Sequence, residues 1–139
     1  MIKSENHKIL IIHGPNMNLL GLRKSGDKGG ITLDKLNRHI KRYARKIGLS
    51  VNIIQTNDEG RAVNHLQSQR KKIKGILLFP GPWQQSGHVI KDTLKILSIP
   101  CITISLGEKI SVLKGIKNVE DDDIYKASET ALIRLAEII

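Results

Sequence analysis

Four short apolar runs, each cut off by glycine, proline or polar residues, constrain this chain more than any other feature. Lys8-Ile-Leu-Ile-Ile-His13 ends in Gly14-Pro15, and Leu49 to Gln55 ends in Thr56-Asn57-Asp58. Gly75-Ile-Leu-Leu-Phe79 ends in Pro80-Gly81, and Pro100-Cys-Ile-Thr-Ile-Ser105 in Leu106-Gly107. The first and third, Ile9 to Ile12 and Gly75 to Phe79, are apolar throughout, the profile of strands buried on both faces, as in parallel sheets; the other two read as strands with polar residues interspersed.

Helical periods separate the runs. Thr32 to Gly48 carries Leu33, Leu36, Ile40, Tyr43, Ala44 and Ile47 at amphipathic spacing, with Thr32 as N-cap and Gly48 as stop. Glu59 to Lys72 reads as a more polar helix opened by Asn57 or Asp58, and Gly87 to Leu97 as a third. Asp122 to Ile139 is the last, with the acids of Glu120 to Asp123 at its positive end. That acidic run reads as a cap, because the spaced oxygen ligands of a calcium loop are missing. No period assigns Leu106 to Val119. Strand–helix alternation of this kind implies a parallel sheet with right-handed crossovers, covered on both faces.

A chain of 139 residues leaves room for one domain, here taken as residues 1–139. Aromatics are only 3%, which argues against a surface that stacks nucleic-acid bases. The net charge of +10 is carried largely by two stretches, Lys35 to Lys46 and Arg70 to Lys74, that read as solvated helix faces. Without a zinc-finger, basic-region or aromatic–basic motif, specific nucleic-acid binding is not expected. Cys101 alone cannot form an internal disulfide or a cysteine-type zinc site, and it suits a reducing cytoplasm. No apolar run reaches the roughly 20 residues of a membrane span, nor does the start read as a signal peptide. The expectation is a cytoplasmic protein without membrane contact, metal or cofactor.

In open parallel sheets the ligand site lies beyond the carboxyl ends of the strands. Here those ends are His13-Gly-Pro-Asn16, Gln55-Thr-Asn-Asp-Glu59, Phe79-Pro-Gly-Pro-Trp83 and Ser105-Leu-Gly107. Their convergence on one edge is the argument for a small-molecule site there.

These loops carry a resemblance. Gly14-Pro-Asn-Met-Asn-Leu-Leu-Gly-Leu-Arg23, Gln55-Thr-Asn-Asp-Glu-Gly60, Pro80-Gly81 and Ile90-Lys-Asp-Thr-Leu94 resemble, at matching spacing, the type II 3-dehydroquinate dehydratases. The resemblance covers about four-fifths of the chain. It implies a flavodoxin-like, doubly wound α/β/α fold with five parallel strands, assembled as a trimer or dodecamer. It also implies an anti elimination of water without a covalent intermediate. In that chemistry a loop tyrosine, its pKa lowered by an arginine, takes a proton beside the ketone. An asparagine holds the enolate, and a histidine oriented by a glutamate protonates the leaving hydroxyl.

Carried over by position, the resemblance makes Asn16 the enolate asparagine, Arg23 the loop arginine and Asp92 the aspartate that reaches a neighbouring subunit's site. Elsewhere the chain departs. Lys28 stands in the tyrosine's place, and Thr103 and Ser105 in those of the glutamate and histidine. Phe79 replaces an asparagine that binds substrate hydroxyls, Gln85 a substrate-binding histidine, and His13 the asparagine that opens the first loop. Val112 and Ile116 fall where paired arginines belong. A positioned acid or base contributes about 10²- to 10⁴-fold, so losing both would remove on the order of 10⁴- to 10⁸-fold.

The substitutions therefore lead to the expectation of the same fold turned to a different small substrate by elimination, cyclisation or hydrolysis. Asn16, Arg23, Lys28, Ser105 and His13 are its candidate catalytic residues. Lys28 beside Arg23 offers an amine base, Ser105 a donor or nucleophile, and His13 a group titrating near neutrality. Phe79, Trp83, Gln85, Asp92, Leu106 and Gly107 are candidate substrate contacts, with Phe79 and Trp83 at the rim and the amides of Leu106 and Gly107 facing a carboxylate. Gly21 to Gly30 is expected to close over the ligand as a lid. Ordinary 3-dehydroquinate dehydratase activity, or binding of a small anion without catalysis, are the alternatives.

Overall fold

The first strand, β1 (His7–His13), sends Ile9 and Ile11 to one face of the sheet and Leu10 and Ile12 to the other. All four side chains are buried, which is why the run lacks alternation. The computed structural model describes residues 7–22 and 30–139. Within them, β2 (Leu49–Gln55), β3 (Gly75–Phe79), β4 (Cys101–Ser105) and β5 (Lys117–Glu120) join β1 in a five-stranded sheet of order β2-β1-β3-β4-β5. Every pairing is parallel. This is the strand order of the flavodoxin-like doubly wound fold, with its switch point between β1 and β3.

Two apolar layers flank the sheet. On one side α1 (Leu33–Lys46) and α5 (Ile124–Ile138) pack Leu36, Ile40, Ala131 and Leu132 against Ile9, Ile11, Leu77 and Ile104. On the other, α2 (Glu59–Gln69), the short α3 (Trp83–Ser86) and α4 (His88–Leu97) pack Leu66, Trp83, Ile90 and Leu94 against Leu10, Ile12 and Leu78. Helix ends follow their side chains. Thr32, Asp58 and Asp123 each accept an N-terminal backbone N–H of the helix they open, and Gly48 takes φ +82° beyond α1. Of the acidic run read as a cap, Asp123 caps α5, while Glu120 ends β5 and Asp121 accepts from Asp123 N.

The segment left unassigned by its sequence holds β5, which runs beside β4 with Thr103 opposite Asn118 and Ser105 opposite Glu120. Only Val119 of this strand is buried, so an edge strand of this kind leaves no apolar run to read. No described helix is long and apolar enough to cross a membrane.

Candidate functional site

Backbone hydrogen bonds draw the loops after β1, β2 and β3 together. Gly14 N donates to Phe79 O (2.9 Å) and Thr56 N to His13 O (3.0 Å). A Cβ at Gly14 would lie 2.7 Å from that Phe79 carbonyl, so only glycine permits the approach. Asn16 then turns the chain in a left-handed conformation (φ 70°, ψ 5°), which asparagine tolerates better than most residues. Its backbone N–H donates to Asn57 Oδ1 (3.0 Å), an oxygen that also accepts from Gln55 Nε2 (3.2 Å). Gln55 Nε2 donates in addition to Gly14 O (3.1 Å). The β2 loop thereby fixes the backbone of Asn16 while its side chain stays exposed at the strand ends.

His13 differs from its expected role. Its ring is fully buried, tilted 31° against Phe79 at 4.6 Å, and its Nε2 donates to Asn37 Oδ1 of α1 (2.8 Å). Nδ1 is buried and has no hydrogen-bond partner among the described residues. Burial lowers its pKa from 6.5 to about 4, the Asn37 hydrogen bond opposing this only in part. His13 is therefore neutral at physiological pH and does not titrate there. It belongs to the packing under the site.

Ser105 and Thr103 are buried as well and both donate to Asn118 Oδ1, at 3.1 and 2.6 Å. The hydroxyl expected to act on substrate is turned toward β5. Phe79 and Trp83, expected at the rim, are 1% and 4% exposed and lie in the two core layers. Phe79 ends β3 inside the layer that α1 and α5 form, and Trp83, the first residue of α3, lies in the layer of α2 and α4. The Leu106 amide already has an anionic partner, since its N–H donates to Glu108 Oε1 (3.0 Å). Gly107 is exposed in the left-handed region, while Gln85 on α3 and Asp92 on α4 face solvent. Arg23 and Lys28, with most of the expected lid, lie outside the described residues.

Gln84 and Asn118 hold these loops without having been singled out by sequence, while Asn57, read there as a possible helix cap, fastens the Asn16 backbone and leaves the cap to Asp58. Gln84 is 1% exposed, and its Oε1 accepts from Ser111 N (2.9 Å) and Leu113 N (3.2 Å) while its backbone carbonyl accepts from Val112 N (2.7 Å). It pins the stretch leading into β5. Glutamine between Trp83 and Gln85 carries no positional signal, whereas Asn57, inside Gln55-Thr-Asn-Asp, sits in a loop already marked as part of the site.

Comparison with known proteins identifies the architecture. The chain matches the family model of class II dehydroquinase over residues 7–112. It is 40% identical over 98 residues to the 3-dehydroquinate dehydratase of Trichodesmium erythraeum, covering 70% of this chain and 65% of that one. Identity to the enzyme of the same name from Geotalea daltonii is 35% over 99 residues, covering 71% and 69%. The chain thus spans about two-thirds of the length of these relatives. A type II dehydroquinase crystal structure from Butyrivibrio crossotus superposes with a TM-score of 0.85 at 26% identity, over 94% of this chain and 98% of that one. These likenesses overturn the expectation of a fold turned to a different substrate, because the relatives are themselves named 3-dehydroquinate dehydratases. The chain belongs to the class II dehydroquinase family.

Proposed function

We propose that this chain is a 3-dehydroquinate dehydratase, a lyase that eliminates water from a small polyhydroxylated carboxylate. The observation that carries the reading is 40% identity over 98 residues to an enzyme of that name, beside a family match over residues 7–112 that spans the strand-end loops. In this reading the Asn16 amide holds the enolate oxygen at the β1 end, where the Asn57 contact to its backbone supports a fixed geometry. Lys28, in the loop position the resemblance gives to the tyrosine, takes the part of the base in this reading. Assay of the conjugated product by ultraviolet absorbance tests this directly. A rate up to about 10⁴-fold below that of the Trichodesmium enzyme is expected, since Lys28 supplies a base while Ser105 stands in the acid's place, and one missing acid costs about 10²- to 10⁴-fold. A rate lower by more than about 10⁴-fold, the loss of both acid and base, overturns it.

One observation favours a second reading, in which the chain binds the same ligand without turning it over. Thr103 and Ser105, where the family resemblance asks for a glutamate and a histidine, are hydrogen-bonded to Asn118 and hold no imidazole or carboxyl. Calorimetric binding of 3-dehydroquinate with no product formed is the outcome that selects it.

Assembly into a homo-oligomer belongs to the same proposal. Val89 and Ile96 are 60% and 72% exposed, and with Asp92 they fall at one-face spacing on α4. Such a stripe suits a second copy. Light scattering is expected to give a trimer or a dodecamer, and a monomer overturns the assignment.

A further inference from the structure

At the end of the sheet opposite Asn16, a cavity of about 550 Å³ opens between the C-terminal half of α4 and the first residues of β4 and β5. Four lysines line it: Lys91 and Lys95 from α4, Lys114 from the turn before β5, and Lys117 at the start of that strand. Ser98 adds a hydroxyl, and Ile116 is one of the apolar residues between the charges. Among the described residues no carboxylate lines the wall and none of the four lysines is in an ion pair.

Ordinary structural reasons explain part of this. A lysine near a helix C-terminus complements the helix dipole, which accounts for Lys95, and a lysine on an edge strand discourages pairing, which accounts for Lys117. Neither reason reaches the half-buried Lys91 or the turn residue Lys114. Gathering four like charges around one concavity is unfavourable by Coulomb's law, and an anion relieves it. A monocarboxylate would leave most of that charge unmatched. Ammonium groups act as point charges suited to phosphate oxygens, and the arginine fork that selects planar carboxylates is missing from the lining.

We propose that this cavity is a binding site for a phosphate-bearing small molecule, separate from the site at the strand carboxyl ends. Lys114 and Lys117 lie beyond residue 112, where the family match ends. The inference is independent of whether the chain turns over 3-dehydroquinate.

Isothermal titration calorimetry of the full chain with sodium pyrophosphate, and separately with orthophosphate, tests it. Pyrophosphate is expected to bind more tightly. The double reversal Lys95→Glu/Lys117→Glu, at two exposed positions, should weaken it by at least about tenfold. Lys41→Glu/Lys71→Glu makes the same change in net charge at exposed positions elsewhere and should alter affinity by no more than about twofold. Equal weakening by both pairs reduces the effect to net charge and overturns the site. So does the absence of binding by the wild-type chain, or binding that the Lys95/Lys117 reversal leaves intact. If the wild type fails to bind and that reversal dissociates an assembly in light scattering, the lysines serve contacts between copies and the proposal falls.

Discussion

Ser105 donates its hydroxyl proton across 3.1 Å to Asn118 Oδ1, linking the end of β4 to β5. Thr103 donates to the same oxygen at 2.6 Å, so one amide satisfies two buried hydroxyls. An edge strand that buries little beyond Val119 gains much of its hold on the sheet through this oxygen and its backbone ladder. Asn118→Leu should therefore destabilise the chain by about 1–3 kcal/mol, the cost of leaving buried polar groups unpaired. Ser105→Ala should cost less in the Asn118→Leu background than in the wild type, because its partner is already gone. Equal costs in both backgrounds, from urea midpoints at unchanged slope, would refute the shared-acceptor account.

His13 ties stability to pH. Its folded pKa of about 4 lies below the ordinary histidine value of 6.5, so the unfolded chain binds the extra proton between those values. The contribution is fully present above pH 6.5 and is lost as pH falls toward 4, amounting at most to about 3 kcal/mol on the linkage relation. Replacing the imidazole by a group that does not titrate, as in His13→Phe, should flatten the fall in urea midpoint over that interval, whatever its effect at pH 7. An unflattened profile would show that other groups carry the acid dependence. Above pH 6.5 His13 supplies no titration, so a pH–rate profile there is expected to owe nothing to it.

The parts of the fold legible in the sequence are those where burial is two-sided. Ile9 to Ile12 and Gly75 to Phe79 are apolar throughout because helices cover both faces, and the strand limits follow within a residue. Lys117-Asn-Val-Glu120 could not be read as β5, since an edge strand with one buried side chain has neither alternation nor an apolar run. That omission propagated to the site. Ser105 looks like a free strand-end hydroxyl until β5 sets Asn118 beside it. His13 likewise has the residue type of a neutral-range acid, but its titration is decided by how deeply α1 and Phe79 enclose it. The end of β1 was legible because Gly14-Pro15 cuts the apolar run, whereas the close approach at Gly14 and the positive φ of Asn16 follow from how the loops after β1, β2 and β3 meet.

Gln84 gives a prediction about local rather than global stability. Gln84→Leu keeps most of the side-chain volume but removes the acceptor of Ser111 N and Leu113 N. Orphaning the buried Leu113 amide should cost about 1–3 kcal/mol. The amides of Ser111 and Leu113 should exchange with deuterium faster than in the wild type, while those of β1 change only as global stability requires. Unchanged protection at 111 and 113 would mean that the backbone bond from Val112 to Gln84 holds the segment alone.

Asn16 combines a backbone requirement with the chemistry assigned to its side chain, and two substitutions separate them. Glycine takes φ 70° freely and keeps the N–H that donates to Asn57, so Asn16→Gly should leave the turn and the urea midpoint nearly unchanged. Alanine keeps the N–H too, but is strained there by about 1–2 kcal/mol. Neither variant carries the amide. If that amide stabilises the enolate, both should lose turnover by about 10²- to 10³-fold, the range for removing one donor from a developing oxyanion. The two losses should be similar despite unequal stabilities. Were the chain to bind 3-dehydroquinate without turning it over, the same comparison would be made on its affinity, with both variants again expected to weaken alike. Wild-type behaviour of Asn16→Gly beside a defective Asn16→Ala would show instead that only the shape of the turn matters, and the enolate role would be withdrawn.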